Sequence, residues 1–574
     1  MRTTHRQQGR THRSAYWSTA SLFLAIALVL SACAGGNGGN KSSGASGGNG
    51  AAGEAQSSSA APSAEQAAAE TPVQGGELTY ALATSPDTLD PARSGLAVAS
   101  RVYRSIFDNL VVKDANNEIK PWLATEWSVS DDGLTYTFKL RQDVKFQDGT
   151  PFNAEAVKFT FDRILDPNTK ASNSASALKP YASSEVIDDY TIKLVLSTPS
   201  RAFLVNLTQT TLGIVSPTAV EKYGDQFGKN PVGTGPFKFV GWQENADITL
   251  ERNPDYNWGP ETASNQGAAY LDKLVFKIVP EEATRIGSVQ SKQVLAAETV
   301  PPQNIAALKA DSNFQVLQVE TGGLPYTLFI NQNKEPWNEL KARQALQYGV
   351  DIGSIVKTLY LGTYEQAWSA LTPSMFGYDA SLENSVQPDA DKANQLLDEL
   401  GWTVGSDGIR EKDGKKLTLH YVDGSPNREK RNDIAVMIQQ QLKKIGIQVD
   451  VEITKDVATK VFQNDDYDIY GNSQVNVDPN ALSQFYHTAA PGVLGNIAHV
   501  SDSQLDQWLE QAAVEKDDTK RAELYKNVQQ FIKDNAVILP IYVFPYTVAA
   551  SNKVKGLAFD SVGYPQFGGV YIQK

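Results

Sequence analysis

The chain has 574 residues, of which 41% are hydrophobic and 20% are charged, so it can bury a sizeable core and a wholly disordered protein is excluded. Its formal net charge of −13 argues against a nucleic-acid partner, because neutralising phosphates requires a basic surface. The single cysteine, Cys33, excludes an intramolecular disulfide and a cysteine-rich zinc site. Two of the five histidines lie in the amino-terminal segment described below, which leaves too few for most histidine-based metal sites. We therefore expect no cofactor and no bound metal.

The amino-terminal segment has the pattern of an export signal. A basic stretch over residues 2–13 precedes an apolar run over 20–30, which is too short to span a bilayer comfortably. The small residues Ser31 and Ala32 suit a cleavage site, and the cysteine after them resembles a bacterial lipobox. That resemblance implies a signal peptide over 1–32 and a lipid on Cys33. An ordinary signal followed by a chance cysteine is the alternative.

A low-complexity segment follows the predicted lipid site. Residues 33–75 are mostly Gly, Ser, Ala and Asn with almost no bulky apolar side chains. Such a composition cannot bury enough surface to offset the entropy lost on ordering. We expect this segment to be a flexible tether between a membrane anchor and a folded body.

The first part of the body is predicted to be rich in strands. Residues 77–82 alternate weakly and predict a first strand, and the spacing of Val98, Val102, Ile106 and Leu110 predicts a helix. Alternating runs on either side of an Asp-Gly turn at 132–133 predict a β-hairpin.

A second hairpin and a capped helix are predicted further on. Runs at 186–187 and 190–196 flank an Asp-Asp turn and predict the hairpin. Asn153 is placed to cap a helix whose apolar face includes Val157 and Phe161.

The second half of the body changes character. A strand at 417–421, a long helix over about 434–445 and an alternating strand at 447–453 form a βαβ pattern, whose crossover makes the strands parallel. A further strand is expected at 467–470, and helices are expected at 391–400, 503–512 and 519–534. These segments together predict a mixed α/β body with at least two lobes.

Motifs that would indicate catalysis are missing from the sequence. It has no H-E-x-x-H, no P-loop and no dinucleotide-binding G-x-G-x-x-G. The adjacent acids at 131–132, 188–189 and 465–466 are typical of solvated turns rather than of acid–base pairs. We expect the protein not to be an enzyme. A secreted hydrolase such as a glycosidase stays open, because its two carboxylates need no local motif.

Several stretches of the body resemble family 5 of the bacterial extracellular solute-binding proteins, the dipeptide, oligopeptide and nickel binders of ABC importers. The resemblance covers essentially all of 75–574. It is carried by LATEW (123–127), DGLTYTFKLR (132–141), VKFQDGTPF (144–152), GTGPF (233–237), ERNPDY (251–256), RQAL (343–346) and LGW (400–402).

The resemblance implies an α/β, two-lobed periplasmic-binding-protein-like fold with hinge strands and an extra inserted subdomain. It assigns 76–112, 233–325 and 536–574 to the first lobe, 113–232 to the strand-rich insertion and 326–535 to the second α/β lobe. Solute would bind between the lobes and close them. The closed protein would then dock on the permease subunits of an importer.

The resemblance also indicates candidate ligand-binding residues. The loop 471–479 follows the last strand of the βαβ lobe, where open α/β sheets bind ligands. Peptide binders of the family place an aspartate three residues before the acid-proline pair, where it holds the amino group of the peptide. The matching residue here is Val475, which cannot make that charged contact. Asn476 and Asp478 are polar substitutes nearby, and Asp478 could equally be a turn residue.

Two further candidates lie outside that loop. Ser94 is in the loop after the first strand, and Trp368 lies near the second lobe's cleft by resemblance, where it could stack on a ligand. A core role for Trp368 is an equal alternative.

The leading hypothesis is therefore a monomeric, lipid-anchored substrate-binding component of an ABC importer that faces the extracellular side and captures a peptide. The first alternative is the same scaffold binding a non-peptide solute, such as an oligosaccharide, an opine or a metal chelate, which the valine at 475 favours. A secreted hydrolase is the second alternative.

Overall fold

The computed structural model describes residues 71–171, 173–490 and 495–574. The predicted signal peptide, Cys33 and most of the predicted tether lie outside these residues. The expected strand at 77–82 is confirmed with the same bounds.

The first sheet has seven strands, and it defines what we call the first lobe. The strand Glu77–Leu82 lies at its centre and pairs in parallel with Lys273–Ile278 and Ala296–Glu298. From edge to edge the strands are Phe314–Glu320, Pro545–Ser551, Ala296–Glu298, Glu77–Leu82, Lys273–Ile278, Asp247–Arg252 and Phe237–Gln243.

The second sheet has six strands and defines the second lobe. Thr418–Gly424 is parallel to Gln448–Thr454 and to Ile469–Val475, and the helix Arg431–Lys443 connects the first two, so the predicted βαβ unit is confirmed. From edge to edge the strands are Glu365–Gln366, Ile538–Val543, Gly323–Ile330, Ile469–Val475, Thr418–Gly424 and Gln448–Thr454.

A third, four-stranded antiparallel sheet defines the inserted unit. Both predicted hairpins are confirmed, and the order across the sheet is Ala124–Val129, Thr135–Leu140, Thr191–Leu196 and Tyr181–Asp188. The helix Ala154–Leu165 packs against it, and the Asn153 side chain caps that helix by accepting a hydrogen bond from the Ala156 N–H at 3.1 Å.

Further helices cover the sheets. The expected helices near 391–400, 503–512 and 519–534 are confirmed within two residues at each end. The helices are Ala97–Ile106, Asn173–Leu178, Phe203–Asn206, Pro217–Tyr223, Glu282–Gln290, Pro302–Ala310, Leu340–Gly349, Ile352–Tyr360, Ala390–Glu399, Ala481–Tyr486, Ser503–Val514 and Asp518–Asp534. Short helical turns are Pro167–Thr169, Thr210–Leu212, Gly224–Lys229, Ala380–Leu382, Arg428–Lys430 and Ala458–Gln463.

Short strands complete the described body. They pair as Val111–Lys113 with Ile119–Pro121, Val554–Lys555 with Tyr571–Ile572, and Ala558–Phe559 with Pro565–Gln566, and a three-stranded sheet contains Thr403–Val404, Arg410–Lys412 and Lys415–Lys416.

The chain passes between the first and second sheets at two adjacent points. The strand Phe314–Glu320 leads into Gly323–Ile330, and the two passages are joined by a hydrogen bond from the Thr321 N–H to the Phe544 carbonyl at 3.1 Å. Gly323 has a φ of 134°, and a Cβ there would lie 2.2 Å from the carbonyl oxygen of Gln474. A glycine is therefore required where the chain enters the second lobe.

The second passage corrects one predicted boundary. The prediction assigned 536–574 to the first lobe, but Ile538–Val543 pairs with Gly323–Ile330 and Glu365–Gln366 in the second sheet. The chain then joins the first sheet through Pro545–Ser551. The long apolar run over these two strands hides the change of sheet, because both strands are buried almost throughout.

Candidate functional site

A cavity of about 290 Å³ lies where the two lobes and the inserted unit meet. The first lobe contributes the start of helix Ala97–Ile106 and the segment 561–564, and the inserted unit contributes 209–211. The second lobe contributes 472–477 and Arg431. This volume is at the lower end of the range for small-molecule sites, so it suits a small solute.

The helix Ala97–Ile106 brings two arginines to the first-lobe wall. Val98, Ala99 and Val102 face the core, whereas Arg101 and Arg104 are three residues apart on the other face and line the cavity. The arrangement follows from the amphipathic pattern of the helix, because the apolar face must pack on the sheet.

Arg101 is held by a buried carboxylate. Its Nη1 lies 3.0 Å from Oε2 of Glu298, and its guanidinium stands 4.5 Å from the ring centre of Tyr546. Glu298 is fully buried and also accepts hydrogen bonds from the Tyr546 hydroxyl at 2.7 Å and the Ala83 N–H at 3.0 Å. This network fixes the guanidinium at the edge of the cavity and keeps it charged.

Arg104 is fixed in the same way by a different set of acceptors. Its Nε donates to Oδ2 of Asp560 at 2.9 Å, Nη1 donates to Oδ1 of Asn109 at 2.9 Å and Nη2 donates to the Thr208 carbonyl at 2.8 Å. Its donors are largely occupied, so Arg104 supports the wall more than it offers free hydrogen bonds.

The second-lobe wall is built around Arg431, the first residue of helix Arg431–Lys443. Its Nη2 lies 2.9 Å from Oε2 of Glu429 and donates to Oγ of Ser473 at 2.9 Å. Its Nε donates to the Tyr542 hydroxyl at 3.2 Å, and its guanidinium lies 4.2 Å from the ring centre of Tyr326. Four neighbours therefore set the direction of this guanidinium.

The two residues that precede Arg431 have unusual backbone dihedral angles. Glu429 and Lys430 have φ values of 45° and 58°, which lie in the left-handed region that residues other than glycine rarely adopt. The Tyr360 hydroxyl donates a hydrogen bond to the Glu429 carbonyl at 2.5 Å and holds this conformation. The surrounding structure thus maintains local strain where the chain enters the cavity wall.

Burial shifts the pKa of a carboxyl group near this wall. Burial raises the pKa of the Asp423 carboxyl, with Arg431 acting in the opposite direction. The Tyr326 hydroxyl donates to Oδ2 of Asp423 at 2.9 Å. Among the described residues that line the cavity, Glu429 alone carries a carboxylate, and it is engaged by Arg431 and by the Tyr542 hydroxyl at 3.3 Å.

Four buried side-chain polar atoms belong to lining residues and have no hydrogen-bond partner in the described part of the chain. They are Nε of Arg101, Oγ1 of Thr211, Oγ1 of Thr321 and Oε1 of Gln474. Buried polar groups are nearly always paired, because an unpaired one costs about 1–3 kcal/mol. Donors and acceptors from both lobes and the inserted unit therefore lack partners beside one cavity.

The predicted candidates fall into two groups. Val475 and Asn476 line the cavity at the end of strand Ile469–Val475. Ser94 is buried beside the cavity without lining it: its Oγ donates to Oδ1 of Asp87 at 2.6 Å and accepts from the Leu96 N–H at 3.1 Å. Ser94 therefore shapes the loop that leads to lining residues Gly95 and Leu96.

Asp478 and Trp368 lie away from the cavity between the lobes. Asp478 forms an ion pair with Arg521 at 2.6 Å, and 6% of each side chain is exposed. Trp368 lines a separate cavity of about 280 Å³ within the second lobe, beside Ile352 and Lys533. The Ala367 N–H donates to the Ile541 carbonyl at 3.2 Å, which joins the segment before Trp368 to the second sheet. Cys33 lies outside the described residues.

The charged residues of the site were not predicted from the sequence. Arg101, Arg104, Glu429 and Arg431 line the cavity and were not named as candidates. The available signal was the pair of arginines three residues apart on the polar face of a predicted helix. Arg431 had no comparable signal, because its role depends on Tyr326, Ser473 and Tyr542, which come from three distant segments.

Two kinds of feature are absent from the described residues. No helix within 71–171, 173–490 and 495–574 is long and apolar enough to cross a membrane. Across the same ranges, no three His, Cys, Asp or Glu side chains are grouped closely enough to hold a metal ion.

Comparisons with known proteins agree with this geometry. A family model described as bacterial extracellular solute-binding proteins, family 5, matches residues 118–495. The chain is 29% identical over 497 residues to the glutathione-binding protein GsiB of Escherichia coli, which covers 84% of this chain and 91% of that relative.

Solved structures are similar over nearly the whole described body. The periplasmic binding protein DppA of Helicobacter pylori, in complex with the peptide STSA, is 27% identical with a TM-score of 0.74 and covers 88% of this chain and 99% of its own. AgaA of A. tumefacien R10, in complex with agropinic acid, is 27% identical with a TM-score of 0.73 and covers 87% and 99%. The two-lobed α/β fold expected from the sequence is confirmed.

Proposed function

This chain belongs to family 5 of the bacterial extracellular solute-binding proteins, and from that premise we propose that it captures a small peptide in the cavity between its lobes for an ABC importer. The family is described as extracellular solute-binding proteins, and the similar protein GsiB is named for binding glutathione. The volume of about 290 Å³ favours a short peptide or peptide-like molecule over a long one.

The observation that carries this proposal is the set of unpartnered polar atoms around the cavity. Nε of Arg101, Oγ1 of Thr211, Oγ1 of Thr321 and Oε1 of Gln474 are themselves buried, and their residues line the cavity. A bound peptide supplies the complementary N–H and C=O groups along its backbone. Small side-chain shifts would bring these atoms to the solute, and contacts with residues of both lobes would favour the closed form.

A non-peptide solute is the second candidate, and one position favours it. Val475 lines the cavity where the family's peptide binders place an aspartate for the amino group, and the nearby Asp478 is engaged by Arg521. The similar protein AgaA is solved with agropinic acid, which is not a peptide. A solute whose carboxylates meet Arg101 and Arg431 would need no ammonium contact.

The proposal includes the parts of the chain outside the described residues. We propose that Cys33 carries a lipid, that 33–75 is a tether and that the protein faces the extracellular side of the membrane. The remaining predicted lobe boundaries belong to this proposal, as do a monomeric state and binding without chemical turnover.

The experiment that tests the proposal is native mass spectrometry of the purified chain, followed by calorimetry with each solute identified. We expect one solute per chain and an intact solute after prolonged incubation. Small-angle scattering should show a smaller radius of gyration when the solute is added. Conversion of the solute to a product would instead support the hydrolase alternative.

A further inference from the structure

A buried lysine connects the inserted unit with the second lobe next to the cavity. Lys113 ends the short strand Val111–Lys113, and only 7% of it is exposed. Its Nζ donates a hydrogen bond to the carbonyl oxygen of Val477 at 3.0 Å. Val477 lines the cavity, whereas Lys113 does not. Lys113 therefore contacts a residue of the cavity wall without lining the cavity itself.

The side chain of Val477 makes a second connection between the lobes. It packs with Val562 and Tyr564 in a small buried apolar cluster, to which Ala97 and Val475 also contribute. Val562 and Tyr564 are cavity-lining residues of the first-lobe side. The side chain of Val477 thus faces the first lobe while its carbonyl oxygen accepts from Lys113.

The surroundings of Lys113 contain charged groups, but among the described residues no carboxylate forms an ion pair with it. Asp478 is paired with Arg521 at 2.6 Å, and Asp560 is paired with Arg104 at 2.9 Å. Burial lowers the pKa of Lys113, and the more distant charges of Asp478 and Asp560 oppose that effect. When the lobes are together, the Lys113 ammonium loses its hydrating water. The hydrogen bond to the Val477 carbonyl and the favourable field of the two carboxylates offset that loss.

We propose that Lys113 is a positioning residue that links lobe closure to the cavity wall. Its hydrogen bond to Val477 forms when the lobes close and holds 475–477 in place against the bound solute. The inference rests on the proposed closure but not on the identity of the solute. Removing the ammonium should reduce the closed population without removing any contact to solute.

Arg201 makes further contacts between the inserted unit and the second lobe, and these lie at the exposed rim. The Arg201 N–H donates to the Ala513 carbonyl at 2.8 Å, and the Arg201 side chain pairs with Asp518 at 2.9 Å with both side chains largely exposed. Exposed ion pairs contribute little to stability. The rim contacts can therefore be used to measure closure, whereas the buried Lys113 contact stabilises the closed form.

The rim provides a test that needs no solute. Arg201→Cys and Ala513→Cys are introduced together with Cys33→Ser, and a short bismaleimide crosslinks the two new cysteines when the lobes close. The crosslinking rate of the solute-free chain is proportional to the closed population when opening and closing are fast. We expect Lys113→Met to slow crosslinking by about 10- to 100-fold, the effect of losing one charge-assisted hydrogen bond.

Matched variants make the result specific. Lys113→Arg keeps a charged donor and should restore most of the rate, and Lys113→Gln keeps a neutral donor and should give an intermediate rate. Lys120→Met is the control, because Lys120 lies on the paired strand Ile119–Pro121 with Glu118 and Asp114 as surface partners. Circular dichroism checks that each variant is folded. If Lys113→Met unfolds, the crosslinking rate of Lys113→Gln is compared with that of the unaltered chain instead.

Three outcomes would overturn the inference. Folded Lys113 variants that crosslink at the unaltered rate would show that the contact does not control closure. Equal slowing by Lys120→Met would show that any change in this hairpin has the same effect. A chain that does not crosslink at all would contradict closure itself, whereas the proposed function fails separately if no solute binds.

Discussion

The carboxylate of Asp478 lies 2.6 Å from the guanidinium of Arg521, and 6% of each side chain is exposed. Nε of Arg521 also donates to the Ala512 carbonyl at 3.0 Å, and Oδ1 of Asp478 accepts from the Asn480 N–H at 2.8 Å. This pair joins the loop after strand Ile469–Val475 to the helix Asp518–Asp534. It gives Asp478 a structural role beside the cavity wall.

Breaking this ion pair should destabilise the second lobe strongly. Arg521→Met leaves the Asp478 carboxylate buried without its partner, so we expect the free energy of unfolding to fall by about 3–5 kcal/mol. Urea denaturation followed by circular dichroism measures the change. Lys193→Met is the control, because it breaks an exposed pair with Glu185 that is worth about 1 kcal/mol or less. Equal effects of the two substitutions would contradict the structural role.

The Asp108 carboxyl should make stability depend on pH. It is fully buried and accepts hydrogen bonds from Thr234 at 2.9 Å and Trp258 at 3.0 Å, and burial raises its pKa to about 7. Between about pH 4 and pH 7 the folded state holds a proton that the unfolded state has lost, so stability falls as pH rises through this window.

Asp108→Asn removes this titration. We expect it to flatten the decline of the melting temperature between pH 4 and pH 7 and to stabilise the protein at pH 8 by up to about 4 kcal/mol. Thermal unfolding at several pH values measures the effect, with the exposed Asp131→Asn as the control. A variant that keeps the slope of the unaltered chain would rule out Asp108 as its source.

Arg431 should be essential for solute binding. Arg431→Lys keeps the charge but loses the planar arrangement of donors that Glu429, Ser473 and Tyr542 orient. We expect the dissociation constant of the solute identified by mass spectrometry to rise about 10- to 100-fold, measured by calorimetry. Arg141→Lys, which changes a more exposed pair with Asp143, should bind normally. Normal binding by Arg431→Lys would remove this residue from the site.

Val475→Asp should change the preference for peptide termini. An aspartate at this cavity-lining position can meet an ammonium, so short peptides with a free amino terminus should gain about tenfold or more over their N-acetylated forms. Calorimetry with both peptide forms measures the ratio, and Val475→Asn is the uncharged control. A folded variant with an unchanged ratio would show that the amino group does not approach this position.

Cys33→Ala should abolish membrane attachment. Cys33 is the one cysteine of the chain and follows the apolar run of the predicted signal, so no other side chain can take the lipid. We expect the variant to appear in the medium or to keep its signal, as judged by fractionation and immunoblotting. A processed variant that stays with the membrane would contradict the lipobox interpretation.

Local patterns predicted the elements well, and contacts between distant segments explain the differences. The alternation over 77–82 and the turn at 132–133 are properties of neighbouring residues, and both elements form as expected. Helix Ala97–Ile106 ends before Leu110, although Leu110 continues the same apolar series. The chain leaves the helix there because the Asp108 side chain accepts buried hydrogen bonds from Thr234 and Trp258.

The cavity residues were harder to predict for the same reason. Val475 and Asn476 follow a strand end, which is a position that the sequence marks. Asp478 has a partner 43 residues later, and Arg431 depends on Tyr326 and Tyr542, each more than 100 residues away. No spacing rule within one sequence brings such residues together.

The central claim is that solute binds in the cavity between the lobes, and a thermal-shift comparison tests it most directly. The unaltered chain and Val475→Trp, which fills the cavity from the second-lobe wall, are screened with glutathione, short peptides and opines. We predict that at least one of these solutes raises the melting temperature of the unaltered chain and does not raise that of the folded variant. Equal stabilisation of both proteins, or stabilisation of neither by any solute, would contradict the account.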